Sequence, residues 1–232
     1  MDFVAVCDTR GTGATQTAAV GHHRAEEALA VAHEAARDAG VAATTELVHD
    51  VDPMRRLMAM AAEHDLLVVG SRGHLRAADI ALGGGSGRAA HSCPVPILIA
   101  RAPAPDSTFP GAILAASDAT DRSRAAVEIA ARLAGMHATQ LTLVHAGAYD
   151  AAPERHELAV QAASAMELTG VEPVVVCEPG HPVEQILAIA ARERPGLIVV
   201  GSSGRAGVRA LGSVSERIAA RASCSVLVMR GR

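Results

Sequence analysis

The run LLVVGSRG, residues 66–73, returns as LIVVGSSG, residues 197–204. The likeness extends well beyond eight residues. With Gly83 laid on Gly212 no gap is needed downstream: Arg88 falls on Arg217, Ile97 on Val226 and Leu98 on Leu227. A repeat of this size implies duplication of a whole domain rather than a solenoid. The chain is therefore expected to fold as two related units.

Each copy has the same grammar. Short apolar runs read as buried strands at residues 3–7, 44–48, 66–70 and 96–100, then at 112–117, 141–146, 173–177, 197–201 and 225–229. Between them, residues 24–39, 54–64, 123–134, 154–168 and 183–194 carry helical periodicity. Continuous apolar strands alternating with amphipathic helices predict a parallel sheet covered on both faces. The proline-rich stretch 102–110 reads as a linker between an incomplete domain, 1–101, and a complete one, 111–232.

The copies are unequal, since the first is about one strand and one helix short. FVAVCD, residues 3–8, resembles ILAASD, residues 113–118, which would make it a first strand. The long polar stretch after it, 9–23, instead resembles the segment after LTLVHA, residues 141–146, which would make it a second strand. Both alignments stand at the level of sequence. Only under the first does Asp8 match Asp118.

Half of the residues are apolar, but the only aromatics are Phe3, Phe109 and Tyr149. The core must be built from Ala, Val, Leu and Ile, without the aromatic platforms that stack nucleic-acid bases. Net charge is −4 and no basic stripe is present, so no nucleic-acid partner is expected. No apolar run reaches the ~20 residues of a membrane span. A cytoplasmic protein with no membrane partner is expected. The basic residues are all Arg, which excludes a Lys-bearing P-loop and Schiff-base chemistry. Cys7, Cys93, Cys177 and Cys224 form no C-x-x-C pair and are expected as small buried hydrophobes.

The chemistry concentrates where the run 197–201 gives way to glycine, serine and arginine. A loop leaving the C-terminal end of a parallel strand is where open α/β sheets bind ligands. Gly201 and Gly204 let backbone amides approach an anion closely. Gly212 and Ser213 precede a helix whose N-terminus offers free N–H donors and partial positive charge. Ser213 to Glu216 fits the S-x-x-E capping box. Other constellations are poor: GTGATQ at 11–16 lacks the third glycine of a dinucleotide fingerprint. The eleven histidines form no H-E-x-x-H, and no G-x-S-x-G elbow exists. No catalytic residues and no metal ligands are predicted.

The second repeat resembles the universal stress protein family over residues 111–230. The likeness runs through LAASDATDRSRAAVEIAARLA, LTLVHA, PGHPVEQILAIAARERPGLIVVGSSG and LGSVSERIAARASCSVLVMR. ATP-binding members carry G-x-x-G, nine residues, then G-[ST]. Here seven residues separate Gly204 from Gly212-Ser213. The first repeat has Gly70-x-x-Gly73 and nine residues before Gly83, but Gly84 stands where Ser or Thr belongs.

The resemblance implies two tandem units of open, mainly parallel twisted sheet with helices on both faces. It implies that ATP or another adenine nucleotide, with or without Mg, is bound by Asp118, Ala146, Val200, Gly201, Ser203, Gly204, Gly212, Ser213, Val214 and Ser215. A second set, Gly70, Gly73, Gly83 and Gly84, would mark another site. Family dimers pair through the last strand, so PILIAR and SVLVMR would join the two units as a pseudo-dimer. A homodimer is the further expectation if the short first unit leaves apolar surface to cover. The activity implied is regulatory nucleotide binding with little or no turnover rather than enzymatic. The alternative is a nucleotide-free scaffold acting through dimerisation or partner docking.

Overall fold

A computed structural model describes residues 1–8, 15–70, 93–102, 109–147, 152–201 and 213–230. Two compact units part between Glu63 and His64. The linker segment 102–110 thus belongs to the second unit, and residues 103–108 lie outside the described ones.

The first unit contains β1 (Asp2–Asp8), α1 (Thr15–Asp38), β2 (Thr44–Asp50) and α2 (Pro53–Ala61). β1 and β2 pair in parallel, from Asp2↔Thr44 to Asp8↔Asp50. Asp52 caps α2 by accepting from Arg55 N at 3.2 Å, and Pro53 sits in the first turn, where its missing N–H costs nothing. α1 begins nine residues before the periodic segment that predicts it. Gly21 and the His22-His23 pair interrupt the apolar period, but extending a formed helix is far easier than nucleating one. On α1, the His22 ring stacks on His49 of β2, with Nδ1 and Nε2 3.2 Å apart.

The second unit is a seven-stranded sheet. Its strands are β3 (Leu67–Gly70), β4 (Ile97–Ala100), β5 (Ile113–Ser117), β6 (Leu141–Gly147), β7 (Val174–Pro179), β8 (Leu197–Gly201) and β9 (Ser225–Met229). The helices are α3 (Asp121–Met136), α4 (Ala152–Thr169), α5 (Pro182–Glu193) and α6 (Ser213–Arg221). The strand order is β3-β4-β9-β8-β5-β6-β7, with every pair parallel except β4 with β9. The alanines of α3, among them Ala126, Ala130 and Ala134, let it sit close on Ile113, Leu143, Leu197 and Val199, and all of these are at most 2% exposed. Small helix residues against branched strand residues give a dense core without aromatics.

Chain order decides between the two alignments of the first repeat. In the second repeat the first strand, β5, lies between β8 and β6, while the third strand, β7, touches β6. β1 beside β2 alone fits β5 beside β6 as well as β6 beside β7, but the chain order β1-α1-β2-α2-β3 matches β6-α4-β7-α5-β8. The register agrees: Asp8↔Asp50 precedes the helix-opening Pro53 as Gly147↔Pro179 precedes the helix-opening Pro182. Asp8 is thus the counterpart of Gly147, not of Asp118. Among the described residues of the first repeat, none forms a counterpart of the β5–α3 pair. Among the described residues, no strand flanks β3 on the side where β5 flanks β8.

The last strands of the two repeats meet, with Leu98 opposite Leu227 in antiparallel register. Arg101 ties this junction. Its N–H donates to Ser225 Oγ at 3.0 Å, and its guanidinium donates to Cys224 O at 3.0 Å and to Ala219 O at the end of α6.

Not every strand expected to be buried is. β2 and β7 are largely exposed, with Val174 49% and Val175 44% accessible. β7 is an edge of its sheet, and β2 belongs to a sheet of two strands, so neither has neighbours on both sides. The cysteines divide accordingly: Cys93 is buried, Cys7 and Cys224 are half-buried, and Cys177 on β7 is exposed. Among the described residues no helix is long and apolar enough to cross a membrane.

Candidate functional site

Beyond β5 the chain moves outward to β6 and β7, then returns to place β8 on the other side of β5. Connections leaving β5 and β8 therefore diverge, and the crevice opened at their C-terminal ends is the standard ligand position of such sheets. A cleft lies there. It is lined by Asp118, Ala146, Val200 and Gly201 from the strand ends and by Val214 and Ser215 from the first turn of α6. All six are positions singled out by the sequence. Ser203, Gly204 and Gly212 lie outside the described residues, as do Gly73, Gly83 and Gly84 of the second set. Ser213 opens α6, and Gly70 closes β3.

Asp118 is positioned by its own turn. Its Oδ1 accepts from Thr120 N at 3.3 Å and from Thr120 Oγ1 at 2.6 Å, and Oδ2 takes no part in that turn. Ala119 holds φ 55°, in the left-handed region that costs a residue with a Cβ on the order of 1 kcal/mol. Thr120 then caps α3, its N–H donating to Ser123 Oγ at 3.4 Å.

Five further lining residues escaped the sequence reading: Ala116, Ser117, Ser123, Pro182 and Ile186. Ile186 falls inside the helical segment expected at 183–194, and Pro182 lies one residue before it. Their i, i+4 spacing on α5, following a Gly180 turn, was the available signal. Ser117 and Ser123 belong to a buried network. Ser117 Oγ lies 2.9 Å from Ser123 Oγ, 2.8 Å from Gln161 Oε1, and accepts from Ala119 N at 2.9 Å. Gln161, 1% exposed on α4, donates through Nε2 to Thr120 O at 3.2 Å and to Glu157 Oε1 at 3.1 Å. Arg124 completes the chain, 2.9 Å from Glu157 and 2.8 Å from Asp121. Its hydrogen bond, seconded by that of Gln161, holds the Glu157 carboxyl below the ordinary glutamate range.

Gln161 thus fixes the β5–α3 turn that presents Asp118. Replacing it by leucine keeps the volume but strips Thr120 O and Ser117 of a buried partner. Ser123 Oγ, 2.9 Å from both Ser117 Oγ and Thr120 O, still partners them, so we expect Gln161→Leu to cost about 0.5–1.5 kcal/mol in chemical denaturation, the net worth of a hydrogen bond.

His145 points to the opposite face from Ala146. Its Nδ1 lies 3.1 Å from Ser117 O, and because a carbonyl only accepts, Nδ1 carries the proton. Nε2 is buried without a hydrogen-bond partner among the described residues, with Glu154 Oε2 at 3.9 Å. His145 therefore braces the back of the strand that forms the cleft floor.

Comparison with known proteins matches the universal stress protein family model to residues 2–101 and 111–230. A Thermus aquaticus relative, the universal stress protein in QAH/OAS sulfhydrylase 3'region, is 36% identical over 136 residues. That match spans 51% of this chain and 97% of the relative. The crystal structure of a universal stress protein from Archaeoglobus fulgidus DSM 4304 superposes with a TM-score of 0.77 at 22% identity. It covers 99% of this chain and 86% of that one. A universal stress protein solved in complex with cAMP matches 51% of this chain and 95% of its own at 26% identity, with a TM-score of 0.46.

Proposed function

The chain belongs to the universal stress protein family, and from that premise we propose that its β5–β8 cleft is a regulatory adenine-nucleotide site with little or no turnover. The observation that carries this reading is the convergence of Asp118, Ala146, Val200, Gly201, Val214 and Ser215 on one crevice. Three elements of recognition are present together. Asp118 Oδ2 offers an acceptor to hydroxyl or amino donors of a nucleoside. Ala116, Ala146, Pro182 and Ile186 form an apolar wall that suits a flat base. The start of α6, at Val214 and Ser215, brings N–H donors and partial positive charge to where phosphates would lie. Asp118 is the sole ionisable side chain among the described lining residues, so those residues supply no acid–base pair for hydrolysis.

One nucleotide per chain follows from this reading. The site needs a first strand to carry the aspartate, and β3 has no such neighbour among the described residues. Isothermal titration with ATP and with AMP, each with and without magnesium, tests the proposal. Saturable heat for at least one nucleotide is expected; no heat and no thermal shift at millimolar nucleotide would end it.

A second reading, a nucleotide-free scaffold, is favoured by the seven-residue spacer between Gly204 and Gly212. It requires Gly204→Val and Ser213→Ala to leave the protein's function intact.

A further inference from the structure

Arg101 stands just past β4, at the end of the first repeat, yet its hydrogen bonds among the described residues reach the second. Its backbone is anchored first. Arg101 N donates to Ser225 Oγ at 3.0 Å, and that hydroxyl lies 3.4 Å from Arg101 O. Ser225 opens β9 and is 3% exposed. The guanidinium then spans the turn between α6 and β9. One terminal nitrogen donates to Ala219 O in the last turn of the helix, the other to Cys224 O just before the strand.

A planar fork on two carbonyls fixes an angle, which a single donor cannot do. Both acceptors are uncharged, and burial pushes the guanidinium below the ordinary arginine range. The partial negative charge of the last carbonyls of α6 offsets part of that cost. What the fork sets is the tilt of α6 against β9. β9 in turn pairs with β8, Val228 opposite Val200 and Met229 opposite Gly201. Val200 and Gly201 line the cleft, as do Val214 and Ser215 at the far end of α6. With ~1.5 Å of rise per residue, Ser213 lies roughly 9 Å along the axis from Ala219, so a tilt of ~10° shifts the first turn by about 1.5 Å. A shift of that size breaks an N–H···O bond.

We propose that Arg101 is a positioning residue for the nucleotide site: through this side chain the first repeat sets the angle at which α6 presents its N–H groups to the phosphates. The inference rests on the adenine-nucleotide reading of the cleft. Arg101 is not among the described lining residues, so it acts through α6. Base and ribose fall to Asp118, Ala146 and Pro182, which stand on other elements.

Titration calorimetry with ATP and AMP, and ligand-observed NMR titration with adenosine, test this on the full chain. Arg101→Met keeps an apolar stem and removes the fork. Arg101→Lys keeps the charge and one donor, and carries the same comparison if the first variant does not fold. ATP and AMP should each bind at least tenfold more weakly to either folded variant, and adenosine within twofold of wild type. A role confined to stability would lower the melting temperature and leave all three affinities alone. Unchanged nucleotide affinity in a folded variant, or an equal loss for adenosine, overturns the inference and leaves the cleft reading standing. A wild type that binds none of the three overturns both.

Discussion

Gly196→Ala is expected to destabilise the second unit by on the order of 3 kcal/mol, one of the largest single-residue effects in the molecule. Gly196 stands immediately before β8 and donates its N–H to Ala112 O at 3.0 Å. A Cβ at this position would lie 2.1 Å from Pro110 O, 2.7 Å from Pro110 C and 3.3 Å from Gly111 N. All three are backbone atoms, so no side chain can swing aside. The start of β8 must move away from the start of β5. That opens the register at Ile113↔Leu197, two residues at most 2% exposed at the edge of the alanine-rich core. Overpacking of this kind costs ~1–3 kcal/mol, and the strained hydrogen bond adds about 1 kcal/mol. For a unit of this size the melting temperature should fall by roughly 6–12 °C. Differential scanning calorimetry reads it directly. A shift within error of zero would mean that the β5–β8 contact at Pro110 is not as close as described.

Ala146→Phe is expected to abolish nucleotide binding while leaving the protein folded. Ala146 stands at the end of β6, 7% exposed, and its side chain looks onto the cleft beside Ala116 and Pro182. The room for a base exists because these residues are small. A phenyl ring there occupies that room instead of entering the core, since His145 and the α4 side lie on the other face of the strand. The expected loss is at least 100-fold in affinity, about 2.7 kcal/mol. Titration calorimetry gives the affinity, and an unchanged melting curve without nucleotide shows that the fold is intact. Undiminished binding in the variant would place the base elsewhere.

The fold was legible because its signals are local and repeated. β8 and β9 stand at the predicted residues, and α3 and α5 begin within two residues of theirs, because continuous apolar runs and helical period suffice there. Burial of β7 was not legible, since Val174 to Cys177 reads like any central strand and only topology makes it an edge. Nor could the identity of β1 be read, because FVAVCD fits either strand and pairing with β2 is a tertiary fact. The cleft-lining residues at and just beyond strand ends are those that motif and resemblance single out. Ser117, Ser123 and Gln161 were missed for a physical reason: they act through one another, and residues 44 apart in sequence, Ser117 and Gln161, meet only once α4 packs on α3. Ile186 was hidden by its helical period, which reports that it is buried but not against what.

The central claim is that a nucleotide is held once per chain, where β5 completes the crevice with β8 and not at β3, which has no such partner among the described residues. Native mass spectrometry of the full chain, titrated with ATP and with AMP, counts bound nucleotides directly. The account predicts one nucleotide per chain at saturation for the wild type and none for Ala146→Phe. Two per chain, or one that persists in that variant, would contradict it.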